Sequence, residues 1–161
     1  MSWDAIGAIG EILGAAVVVA TIFYLAIQIR QSQSANQMAT AARIAGTADA
    51  WIGQLVRDKE LNDLYQNGMR DYNSLDLSDR SRFDLLIAQL LRAMESAWTQ
   101  EKHGGLDQNQ WYGYKMTTRH VVGSPGGLAV FNKMKNTAFS PEFSAAIHEI
   151  ISNTDDRPQQ V

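Results

Sequence analysis

The feature that most constrains this chain is an apolar stretch without any charge at residues 12–29. A helix needs about 20 apolar residues to cross the hydrocarbon core of a bilayer. Counted back to residue 6, with Glu11 as its one charge, the stretch has 24 residues. Its ten Ile, Leu, Val and Phe side chains within 12–29 favour insertion by about 3–6 kcal/mol. The alternative, a core helix of a soluble protein, is disfavoured because a domain this small seldom shields such a segment on every side.

The charges that flank the stretch predict its orientation. Arg30 and Arg43 follow it, and no lysine or arginine precedes it. Positive charge collects on the cytoplasmic side of membrane proteins. We therefore expect the N-terminus outside and residues 30–161 in the cytoplasm, with Trp3 at the outer interface and Tyr24 near the inner one.

Polar and small residues follow one face of the same predicted helix. They recur at alternating steps of three and four, the spacing of a helix-packing face. One further glycine, Gly10, forms a GxxxG pair with Gly14, a pattern typical of close helix contacts in membranes. We call this face the seam; it consists of Gly7, Gly10, Glu11, Gly14, Val18, Thr21, Leu25 and Gln28.

The seam has two interpretations beyond chance. Small residues allow helices to pack closely, and a Thr or Gln hydrogen bond across such a contact contributes about 0.6 kcal/mol on average. Alternatively, the seam lines a water-filled path in a ring of identical subunits, where Glu11 side chains attract cations at the outer mouth. We favour packing and keep a homo-oligomeric cation channel as the second hypothesis.

The rest of the chain predicts helices only, hence an all-α fold with one transmembrane helix that continues into a cytoplasmic helical bundle. We divide the whole chain into an anchor at 1–30, a helical extension at 31–56, a helical domain at 57–153 and a flexible tail at 154–161. Asn67-Gly68 is read as a helix stop, and Ser78, Asp107, Ser124 and Ser140 as N-caps. We call the helix that Ser78 is predicted to cap the third helix. Its predicted core face carries Phe83, Leu86, Ile87, Leu90, Leu91, Met94 and Trp98.

The sequence offers little catalytic chemistry. The net charge is −3 with no basic run, which argues against nucleic acid as a partner. There is no cysteine, and the three histidines have no paired-ligand spacing, so we expect no metal and no cofactor. Ser124 is explained by capping, and we expect no catalytic residue. The carboxylates of the third helix are read as a solvated face: Asp79, Asp84, Glu95 and Glu101.

Several segments are distinctive as strings. The chain resembles a family of uncharacterised bacterial single-span membrane proteins in three segments: GEILGAAVVVATIFYLAIQIRQS, SPGG and FSPEF. The resemblance extends over nearly the whole chain. It implies one anchored helical unit in the bacterial inner membrane and no particular reaction. We therefore expect a structural or interaction protein whose partners are the lipid bilayer and either further copies of itself or another membrane protein.

Overall fold

A computed structural model describes the backbone of residues 3–153 and the side chains from Gly10 onward. The described residues contain six α-helices and no strand, so the predicted all-α fold is confirmed. The predicted tail at 154–161 lies outside the described residues. The helices are α1 (Trp3–Arg57), α2 (Lys59–Arg70), α3 (Leu77–Lys102), α4 (Gln108–Val122), α5 (Pro125–Met134) and α6 (Pro141–Ser152), with a 3-10 turn at Tyr72–Ser74.

The chain divides between Ala39 and Thr40 into two compact units. The first contains the N-terminal part of α1 with the apolar stretch. The second begins inside α1, within the predicted extension at 31–56, and contains every other helix. From here on, the name helical domain refers to residues 40–153, which add the second part of α1 to the domain predicted at 57–153.

Side-chain caps begin five of the six helices. The oxygens of Asp58, Asp107, Ser124 and Ser140 each accept a hydrogen bond from a backbone N–H in the first turn, which satisfies donors that the helix leaves unpaired. The cap of α3 is Asp76, which bonds the N–H of Asp79. The prediction of Ser78 as this cap was wrong, because the helix already begins at Leu77.

The prediction that Asn67-Gly68 ends a helix was also wrong. α2 continues to Arg70, and Gly68 is buried inside it. The face of Phe83 covers Gly68, and a Cβ atom there would lie 2.5 Å from Phe83 Cε2. Gly68 allows α2 and α3 to lie close together, and it does not end α2.

The core of the helical domain lies around α3. Its predicted apolar face is buried, with Phe83, Ile87 and Leu91 at 0% exposure, except at Trp98, which is partly buried. Trp51 of α1 joins this core: its indole N–H donates to the Leu86 carbonyl at 2.9 Å. Side chains from the later helices complete it, including Val121, Val122, Val130, Phe131, Phe143 and Ile147.

Candidate functional site: the exposed apolar segment of α1

Residues 12–29 lie in the N-terminal half of α1, and we call them the apolar segment. Its large apolar side chains are each 48–70% exposed. They project on all sides of the helix, because residues 17 to 19 and 22 to 25 are consecutive. α1 is the one helix in the described part of the chain that is long and apolar enough to cross a membrane, and none of its apolar window is buried.

The seam residues from Gly10 onward lie on an exposed part of α1. The side chains of Val18 and Leu25 are 58% and 48% exposed, and Glu11 is exposed as well. A Cβ atom added at Gly10 or Gly14 would meet nothing within 4 Å. Gly7 is part of α1, but its surroundings lie outside the described residues. From Gly10 onward, the seam is therefore exposed with respect to the described part of the chain.

Two polar groups of the seam are hydrogen-bonded inside the helix. The Thr21 hydroxyl donates to the Val17 carbonyl at 2.8 Å. The Gln28 amide nitrogen donates to the Tyr24 hydroxyl at 3.1 Å. Bonds of this kind lower the cost of placing a polar side chain away from water. These bonds pair the Thr21 hydroxyl and one of the two N–H groups of the Gln28 amide without any contact to another helix.

Asp84 does not belong to the solvated face that we predicted for the carboxylates of α3. Asp84 is 5% exposed. Its two oxygens accept hydrogen bonds from the Tyr72 hydroxyl at 3.0 Å and from Lys133 Nζ at 2.6 Å. The sequence does contain the signal for its burial, because Asp84 is in helical register with Ile87 and Leu91 of the apolar face.

Glu95 also differs from that prediction. Its Oε1 accepts hydrogen bonds from the backbone N–H of Ser140 at 2.8 Å and from the Ser140 hydroxyl at 2.7 Å. The carboxylate therefore ties α3 to the N-cap of α6. No local sequence pattern predicts this contact, because its partners are 45 positions apart in the chain.

The other groups considered for chemistry have structural surroundings. The Ser124 hydroxyl donates to the Val121 carbonyl at 2.7 Å and accepts from the Gly127 N–H at 3.0 Å, as an N-cap does. Trp98 packs against Phe143 with ring centroids 5.8 Å apart. Within the described residues, no three His, Asp or Glu side chains are grouped so that they could hold a metal ion.

Burial raises the pKa of the Tyr65 hydroxyl, and burial followed by the nearby charge of Asp49 raises that of Tyr114. Both rings belong to the packing around the core. Raised values keep these phenols neutral at physiological pH. Neither is thereby prepared to act as a base.

No family model, curated protein or solved structure matches this chain. The function is therefore argued from its own residues.

Proposed function

We propose that this protein is a membrane-anchored interaction protein. The apolar segment of α1 crosses the bacterial inner membrane once, and the helical domain lies on the cytoplasmic side. The seam joins the protein to a second copy or to another membrane protein. The observation that carries the proposal is the 48–70% exposure of every large apolar side chain in the apolar segment, beside a domain that has a core of its own.

A lipid environment accounts for that exposure. Apolar surface in water costs about 25 cal/mol per Å², and acyl chains remove this cost without any protein contact. A helix also satisfies its backbone hydrogen bonds internally, which a span requires. The side chains of Thr21 and Gln28 also make hydrogen bonds inside the helix.

The proposed orientation rests on the flanking charges. Arg30 and Arg43 follow the apolar segment, whereas Asp4 and Glu11 are the charged residues before it. Arginine near the end of a span favours the cytoplasmic side. The helical domain follows the arginines in the chain and is placed there with them.

The absence of cysteine from the sequence allows a direct test of the span. In the variants Ser2→Cys and Ser152→Cys, the new thiol is the only one in the chain. With a membrane-impermeant maleimide on spheroplasts, we expect Ser2→Cys to be labelled at once and Ser152→Cys only after permeabilisation. The wild-type chain is the unlabelled control.

Membrane fractionation completes this test. The protein should stay with the membrane in alkaline carbonate and leave it only with detergent. Recovery in the soluble fraction would refute the anchor. Labelling of both thiols from the same side would refute the single span, and the reverse labelling pattern would refute the orientation.

The two glycines favour a packed seam over a water-lined one, because Gly10 and Gly14 allow a second helix to approach closely. A cation current through the purified protein in planar bilayers, reduced by Glu11→Gln, would contradict the packed seam and support a pore.

A further inference from the structure

A groove of about 400 Å³ lies between the second half of α1 and α3 in the helical domain. Trp51 fixes α1 to the Leu86 carbonyl, and Ile44 shares an apolar cluster with Ala97. The side chains that line the groove include the small Thr47, Ala93 and Ser96. Seven residues line it: Arg43, Ile44, Thr47, Gln89, Arg92, Ala93 and Ser96.

The groove brings together two arginines from different helices without any lining carboxylate. Among the described residues, neither the Arg43 nor the Arg92 guanidinium makes a hydrogen bond or an ion pair. Some cations of the domain do have partners; Arg82 pairs with Asp79, and Lys133 pairs with Asp84. Because the whole chain has a net charge of −3, this pair does not belong to a generally basic surface.

The remaining lining suits an anion. Ile44 and Ala93 are 4% and 7% exposed and give the groove an apolar floor. Such a floor lowers the local dielectric and strengthens the attraction of the arginines. Gln89 adds an amide donor. The planar guanidinium matches the oxygens of phosphate with two parallel hydrogen bonds.

The size of the groove limits the ligand further. Small-molecule sites have volumes of about 300–1,000 Å³, and this groove falls within that range. A bare phosphate ion would leave the apolar floor uncovered. We infer that the groove binds a phosphate ester, with its phosphate between Arg43 and Arg92 and its organic part over Ile44 and Ala93.

Two sources carry this chemistry, a phospholipid headgroup and a soluble phosphate monoester. The full-length protein in mild detergent is titrated with phosphatidylglycerol, and binding is followed by native mass spectrometry. A second titration uses glycerol 3-phosphate and isothermal calorimetry. The test variant is Arg43→Gln/Arg92→Gln. The control, Arg57→Gln/Arg82→Gln, removes the same charge from the same two helices outside the groove.

We expect saturable binding of at least one probe to the wild type. Hydrogen bonds to charged groups are strong enough that losing both arginines should weaken binding about tenfold or more. The control should stay within about twofold, as expected for distant exposed charges. The probe that binds identifies the source. Binding of neither probe, or equal losses in both double variants, would overturn the inference, and neither result bears on the membrane span.

Discussion

Gly126 allows α5 to approach the backbone of α2 closely. A Cβ atom at Gly126 would overlap the carbonyl oxygen of Gly68 and lie 3.0 Å from the Cα of Met69. These are backbone atoms, which cannot rotate aside as the end of a side chain can. Gly126 follows Pro125 in the first turn of α5, so the same run both begins the helix and makes the contact.

We therefore expect Gly126→Ala to lower the free energy of unfolding by about 1–3 kcal/mol or more. Gly113→Ala is the matched control, because a Cβ atom at Gly113 in α4 meets nothing within 4 Å. It should raise stability by about 0.5–1 kcal/mol, since alanine is the better helix former. Urea denaturation measures both, and similar effects of the two variants would contradict the close approach.

The buried Asp84 carboxylate makes a second residue-scale prediction. Its side chain is 7% exposed, whereas that of its partner Lys133 is 57% exposed. Lys133→Met leaves the carboxylate with the Tyr72 hydroxyl as its remaining donor among the described residues. We expect a loss of about 1–2 kcal/mol, below the value for a fully buried pair because solvent screens Lys133.

This loss should depend on pH. The hydrogen bond from Lys133 to Asp84, followed by the one to Tyr72, raises the pKa of Lys133 above 10.5. The pair therefore stabilises the fold from neutral pH up to about 10.5, and its contribution disappears as the pH rises through the raised value. The stability difference between wild type and Lys133→Met should shrink there. Lys59→Met is the control, since Lys59 pairs only within α2 and should matter little at any pH.

At the scale of elements, local patterns predicted the helices well and their tertiary contacts poorly. The repeat of Phe83, Ile87 and Leu91 predicted the buried face of α3, and the two Ser-Pro starts predicted α5 and α6. These signals depend on neighbours within one or two turns. The end of α2 and the partners of Glu95 were missed because distant residues determine them. The groove was missed for the same reason, since α1 and α3 supply one arginine each.

The seam is an element-scale prediction, because its residues share a helix face and, from Gly10 onward, the described residues leave them exposed. Gly14→Leu adds a bulky side chain to this face and should reduce the mass of the complex in mild detergent. Ala16→Leu adds the same side chain about 200° away around the helix and should leave the mass unchanged. An unchanged mass in both variants, or an equal reduction in both, would remove the seam as the contact surface.

The whole molecule combines a helix segment without a core and a domain that has one. The described buried core residues, from Ile44 to Ile150, all belong to the unit that begins at Thr40. The exposed apolar side chains of residues 12–29 belong to the other unit. We therefore expect the apolar segment to determine whether the protein needs detergent, and the helical domain to fold without that segment.

Removing residues 1–39 should yield a protein that needs no detergent and unfolds in one cooperative transition, because every buried contact of the helical domain is kept. Trp51→Ala in this shortened chain removes the hydrogen bond to Leu86 and the edge contact with Tyr65 at 5.4 Å. It should cost about 3–5 kcal/mol, the usual loss for a large buried aromatic. Circular dichroism during urea unfolding measures both. A shortened chain that aggregates, or that unfolds without a transition, would show that the domain depends on the apolar segment to fold.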